Sequence, residues 1–178
     1  MPISFWLIQL IGLVGSVISF TSLQSGSRTK ILSLQILCCV LWVVHYALLG
    51  AYTGVLINIL GLGRAMVCAF NDRSWAKSPL WLAFFLVCYA VSPLLTCDGP
   101  YCLLLGGAMM LTTVALWTHN MRLTRLLFLL NSPPVFLYNL IAGSYTSAAI
   151  EVAAFCSFVL AVWRFDIRPG LARTRRES

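Results

Sequence analysis

Apolar positions along the chain run in long continuous blocks, separated by short segments rich in Gly, Ser, Pro, Asn or basic residues. Seven blocks stand out, over 3–23, 31–50, 52–70, 79–96, 101–118, 123–143 and 145–163. Each is about as long as a helix that crosses the hydrocarbon core of a bilayer, roughly 17–25 residues. The blocks lack the in-out alternation of lipid-facing barrel strands, so the pattern predicts seven transmembrane helices in an all-α polytopic membrane protein.

Composition agrees: 60% hydrophobic residues, 10% charged residues and a mean hydropathy of +0.90 lie far from the soluble range. The lipid bilayer is therefore the first predicted partner. All twelve Lys and Arg collect at alternate connections, with Arg28 and Lys30 after block 1, Arg64, Arg73 and Lys77 around the end of block 3, Arg122 and Arg125 after block 5, and five Arg after block 7. The connections near Gly50, Cys97 to Tyr101 and Gly143 carry none. Basic residues accumulate on the cytoplasmic side, which predicts an external N-terminus and a cytoplasmic C-terminus. Topology accounts for the basic tail without a nucleic-acid partner. Block 1 has neither a basic leader nor a clear small-residue cleavage site, and reads as a retained helix.

One register recurs. Gly50-Ala51-Tyr52-Thr53 and Gly143-Ser144-Tyr145-Thr146 are separated by 93 positions, and the same shift carries Asn58 onto Glu151. Ser27-Arg28-Thr29-Lys30 likewise resembles Arg122-Leu123-Thr124-Arg125. Blocks 1–3 and 5–7 thus read as two three-helix units, with block 4 restoring the orientation of the second unit to give parallel repeats. The predicted organisation is 1–70 for the first repeat, 71–100 for the linker helix and outer loop, 101–163 for the second repeat, and 164–178 for a basic cytoplasmic tail.

Glu151 is the only acidic residue inside the apolar blocks. A charge at the bilayer centre costs on the order of 3 kcal/mol on insertion scales, so such a group faces a polar cavity or a partner. Asn58 and Glu151 each lie six residues inside their blocks, a depth of roughly 9 Å. His45 and Asn139 lie just inside the same ends of blocks 2 and 6, beside Tyr46 and Tyr138. These six residues are the predicted substrate-binding set, converging on a pocket that opens outward. The competing readings are interhelical hydrogen bonds for the amides, an interfacial tether for His45 and a neutral buried acid for Glu151. Pro133 and Pro134 interrupt the backbone donors of block 6 and form a candidate hinge or a static kink. Cys97 and Cys102 bracket a Gly-Pro turn and are either a disulfide or two free thiols. No His or Cys grouping has metal-ligand spacing, and neither a catalytic motif nor a cofactor-binding motif occurs, so no enzyme, metal or cofactor is expected.

The run from His45 to Tyr52 followed by Arg64, together with Asn139, Gly143, Ser144, Ile150 and Glu151, resembles the two signatures of the YgjV-like bacterial inner-membrane proteins. That family is similar to the wider group of SWEET sugar transporters, PQ-loop transporters and the KDEL receptor, although neither half here has a Pro-Gln pair. The resemblance implies a SWEET-like arrangement of three, one and three helices in a bacterial inner membrane. It also implies a transporter or facilitator of a small polar solute, or a non-transporting receptor or accessory protein using the same pocket. Self-association into a homo-oligomer is compatible with either.

Overall fold

The computed structural model describes residues 3–23, 28–70, 73–96, 99–118 and 120–168. Among them are seven α-helices and no strand: α1 (Ile3–Leu23), α2 (Arg28–Leu48), α3 (Tyr52–Ala69), α4 (Leu80–Thr96), α5 (Tyr101–Trp117), α6 (Met121–Ile141) and α7 (Tyr145–Val162). A single 3-10 turn, Ser74–Lys77, precedes α4, and a π turn, Trp163–Ile167, prolongs α7. The seven expected blocks are therefore helices, with shifted edges. α2 and α6 start earlier than their apolar runs, taking Arg28, Lys30 and Arg122 into the helices, and stop two residues sooner. The first part of the predicted tail is likewise helical, through Arg168.

The early stops have a common cause. Gly50 and Gly143 adopt φ of 72° and 74°, the left-handed region that closes a helix and that Gly enters without a Cβ penalty. Behind them, Ala51 N–H donates to Tyr46 O and Ser144 N–H donates to Asn139 O, both at 2.9 Å. The shift of 93 seen in sequence thus relates two identical helix closures, and it carries the bounds of α2 onto α6 and of α3 onto α7. The end of the bundle carrying these closures is called the turn end below; the opposite end is the basic end.

Packing is mainly between sequence neighbours, and α1 also meets α7. The core joins Tyr46, Ile57, Phe85, Tyr89, Cys102, Leu105 and Tyr138 from α2 to α6. Outward faces are apolar. On α1, Trp6, Leu10, Leu13 and Val17 are exposed along one stripe; in water that would be an aggregation hazard, and in a bilayer it is a lipid-facing surface. Two helices, Tyr52–Ala69 and the continuous Tyr145–Ile167, are long and apolar enough on their own to cross a membrane.

At the basic end, Asn120 caps α6, its side chain accepting from Arg122 N at 3.0 Å and Leu123 N at 3.2 Å. Arg125 then grips Asp166 in a two-pronged pair, Nε to Oδ2 at 2.9 Å and Nη2 to Oδ1 at 2.7 Å. The hydrogen-bonded guanidinium holds the Asp166 carboxyl below its ordinary range.

Candidate functional site

A cavity of about 310 Å³ runs down the middle of the bundle, lined by residues of every helix except α4. Asn58 and Glu151 face it from α3 and α7, Tyr46 and Asn139 bound it toward the turn end, and it extends toward the basic end as far as Ser19, Arg64 and Phe128. Of the six predicted binding residues, four line this cavity. His45 and Tyr138 do not: each is almost wholly buried, at 0% and 1% exposure, in the layer that closes the turn end.

That layer closes the turn end, where the sequence pattern suggested an opening. The Tyr46 hydroxyl donates to Asn139 Oδ1 at 2.6 Å. The Tyr46 and Tyr138 rings meet edge to face, 6.0 Å between centroids. The Tyr138 hydroxyl accepts the Gly54 N–H at 2.9 Å, satisfying a first-turn donor of α3 that the chain's own cap position, Ala51, leaves free. On the other side of this septum lies a smaller cavity of about 160 Å³, lined by Ala51, Tyr52, Thr53, Tyr101, Cys102 and Tyr138 among others. The polar groups at the ends of α2 and α6 are thus spent on one another rather than on an entrance.

The contacts of the layer follow the internal shift. Tyr46 and Asn139 are 93 positions apart, so this hydrogen bond joins two equivalent positions. His45 is the equivalent of Tyr138. Tyr138 reaches from α6 to the start of α3, and His45 reaches from α2 to the start of α7, where its Nε2 lies 2.7 Å from Ser144 Oγ. His45 Nδ1 lies 2.9 Å from the Ile8 carbonyl, which only accepts, so Nδ1 carries the proton and Nε2 accepts from Ser144. Ser144 in turn bonds Ser147, which faces the main cavity.

Gln9 was not singled out in the sequence, yet it holds the loop between α6 and α7. Its Nε2 donates to Gly143 O at 2.7 Å, and its Oε1 accepts from Thr146 N and Thr146 Oγ1, each at 3.1 Å. It is the lone amide of block 1, which was the available signal. Ser144 and Ser147 were equally available through the 93-residue shift, as partners of Ala51 and Gly54.

The cavity walls carry unspent polar groups. Asn58 Nδ2 donates to Gly54 O at 2.8 Å within its own helix, and its side-chain oxygen has no partner among the described residues. Among the described residues, Thr112 Oγ1 and Asn131 Oδ1 are buried on this wall without a hydrogen-bond partner. The Glu151 carboxylate forms no ion pair among the described residues; the pair described is Arg125 with Asp166. Glu151 also borders a second, apolar cavity of about 200 Å³ between α6 and α7, with Pro133, Phe136, Val152 and Phe155. Pro133 and Pro134 lie within α6, which continues through them. Cys102 is a buried free thiol, while Cys97 lies outside the described residues. No group of three or more His, Cys, Asp or Glu is placed to hold a metal among the described residues.

Residues 6–168 match the Imp-YgjV family, described as bacterial inner membrane protein. The chain belongs to this family. It is accordingly a helical protein of the bacterial inner membrane, and the apolar outer faces of its helices are lipid-facing surfaces. No curated protein and no solved structure matches the chain.

Proposed function

We propose that this Imp-YgjV protein is a transporter or facilitator of a small polar solute, working by alternating access between two three-helix repeats in a SWEET-like arrangement with α4 as the link. The observation that carries the reading is the central cavity, walled by helices of both halves and closed at one end by the Tyr46, Tyr138 and Asn139 septum. Its volume is at the low end of ligand pockets, roughly 300–1,000 Å³, which suits a metabolite-sized solute. In this reading the turn end is external, the C-terminus is cytoplasmic, and the conformation is closed to the outside. Pro133 and Pro134, whose missing N–H groups weaken the α6 ladder, supply the hinge. The protein moves its solute without covalent chemistry and without a cofactor.

Uptake of labelled metabolites into proteoliposomes tests this. Flux that depends on Glu151, and is reduced at least tenfold by Glu151→Gln, supports transport. Solute binding without flux overturns it in favour of a receptor or accessory role. A C-terminal tag found on the external face reverses the assigned orientation.

A further inference from the structure

We infer that the central cavity is built for a small zwitterion, with the solute's carboxylate held by Arg64 and its ammonium by Glu151. This rests on the small-solute reading above and narrows its substrate class.

Arg64 and Glu151 line the same cavity from different halves, and neither has an oppositely charged partner among the described residues. Arg64 Nη1 donates to Thr113 Oγ1 at 2.7 Å, and its guanidinium carbon lies 5.5 Å from the centre of the Tyr89 ring. That fixes the side chain while leaving most of its five N–H donors unspent. The two charges sit at different levels. Glu151 shares its level with Asn58, and Arg64 is six residues further along α3, about 9 Å toward the basic end. Thr112 and Asn131, ten to eleven residues from the turn ends of their helices, lie near the Arg64 level.

The cavity thus has an acceptor-rich level, with the Glu151 carboxylate and the Asn58 side-chain oxygen. It also has a second level where a guanidinium sits with the Thr112 hydroxyl. Asn131 Oδ1, nine-tenths buried and without a partner, lies beside that second level. An ammonium has three donors and no acceptor; a carboxylate only accepts. A solute with one charge would satisfy one level and leave the other charge unpaired on the cavity wall, a costly arrangement away from bulk water. A zwitterion satisfies both and carries no net charge across the membrane potential.

The test uses the purified full chain with L-leucine, its amine analogue 3-methylbutylamine and its acid analogue 4-methylpentanoate, read by calorimetric binding. The expected result is L-leucine binding at least tenfold tighter than either analogue. Arg64→Gln should weaken L-leucine about 30-fold and erase its advantage over the amine; Glu151→Gln should erase its advantage over the acid. Arg64→Lys, which keeps the charge, should retain most of the affinity and guards against a variant that merely misfolds. Equal binding of L-leucine and one analogue overturns the inference. So does the absence of L-leucine binding by wild-type protein that elutes as a single folded species. In either case, Glu151-dependent uptake of a singly charged or uncharged solute would leave the transport reading standing, so the two failures are distinguishable.

Discussion

Replacing Gly54 by Ala probes the septum directly. A Cβ built on Gly54 would lie 2.6 Å from Tyr46 Cγ and 2.9 Å from both Cδ atoms, inside any real carbon contact. The ring cannot simply retreat, because its hydroxyl is tied to Asn139 at 2.6 Å and its face to Trp42, with which it stacks at 5.6 Å. Overpacking of this kind costs about 1–3 kcal/mol. Losing the Tyr46–Asn139 hydrogen bond as the ring moves would add about 1 kcal/mol. The higher helix propensity of Ala returns about 1 kcal/mol, leaving a net loss of roughly 1–3 kcal/mol. Gly107 is the matched control, since nothing lies within 4 Å of its added Cβ. Thermal unfolding of the detergent-solubilised chain should show Gly54→Ala several degrees below wild type, and Gly107→Ala at or above it. Adding Tyr46→Leu to Gly54→Ala should recover part of the loss by removing the ring, a coupling a double-mutant cycle measures. If Gly54→Ala proves as stable as Gly107→Ala, the close approach at the septum is wrong.

Three further outcomes follow from the geometry. Gln9→Leu removes the group that serves Gly143 O and Thr146 N together, and should cost about 1–3 kcal/mol in chemical denaturation; an unchanged midpoint would refute the clamp. Gly50→Ala and Gly143→Ala each force a side chain into left-handed backbone with open space around it, so each should cost about 1–2 kcal/mol, and markedly unequal losses would deny the equivalence of the two closures. The Arg125–Asp166 pair gives a signed pH dependence. Because the folded carboxyl titrates below its unfolded value, the pair contributes fully above about pH 4 and is lost as pH falls through the depressed folded value. Normalised hydrogen-exchange protection of the Trp163–Ile167 turn should fall in that acid range, and Asp166→Asn should abolish the dependence.

The helices were legible because the apolar runs are long and their ends are punctuated by Gly and basic residues. The 93-residue shift, carried by Gly-Ala-Tyr-Thr and Gly-Ser-Tyr-Thr, also anticipated two like closures. Hydropathy, however, says nothing about how each helix is rotated about its axis. Tyr46 and Asn139 were visible as polar groups near a surface, and only packing shows that they face each other and shut that end. Gln9 was one amide in an apolar block with its partners more than 130 residues away. Arg64 read as a marker of topology because charge counting does not distinguish a snorkelling cation from one on a cavity wall.

The hydrogen bond between Tyr46 and Asn139 has a consequence for assembly from separate halves. Two identical three-helix chains related by a true dyad would place the same residue on both sides of the axis, giving Tyr against Tyr or Asn against Asn. Neither pairing reproduces a phenol donating to an amide oxygen, and the same symmetry would set two carboxylates or two amides where Glu151 and Asn58 now differ. In the proposed two-repeat arrangement, carrying both halves on one polypeptide frees the axial positions to specialise, so the lock and the single acidic wall are properties that a homodimer of either half would lack.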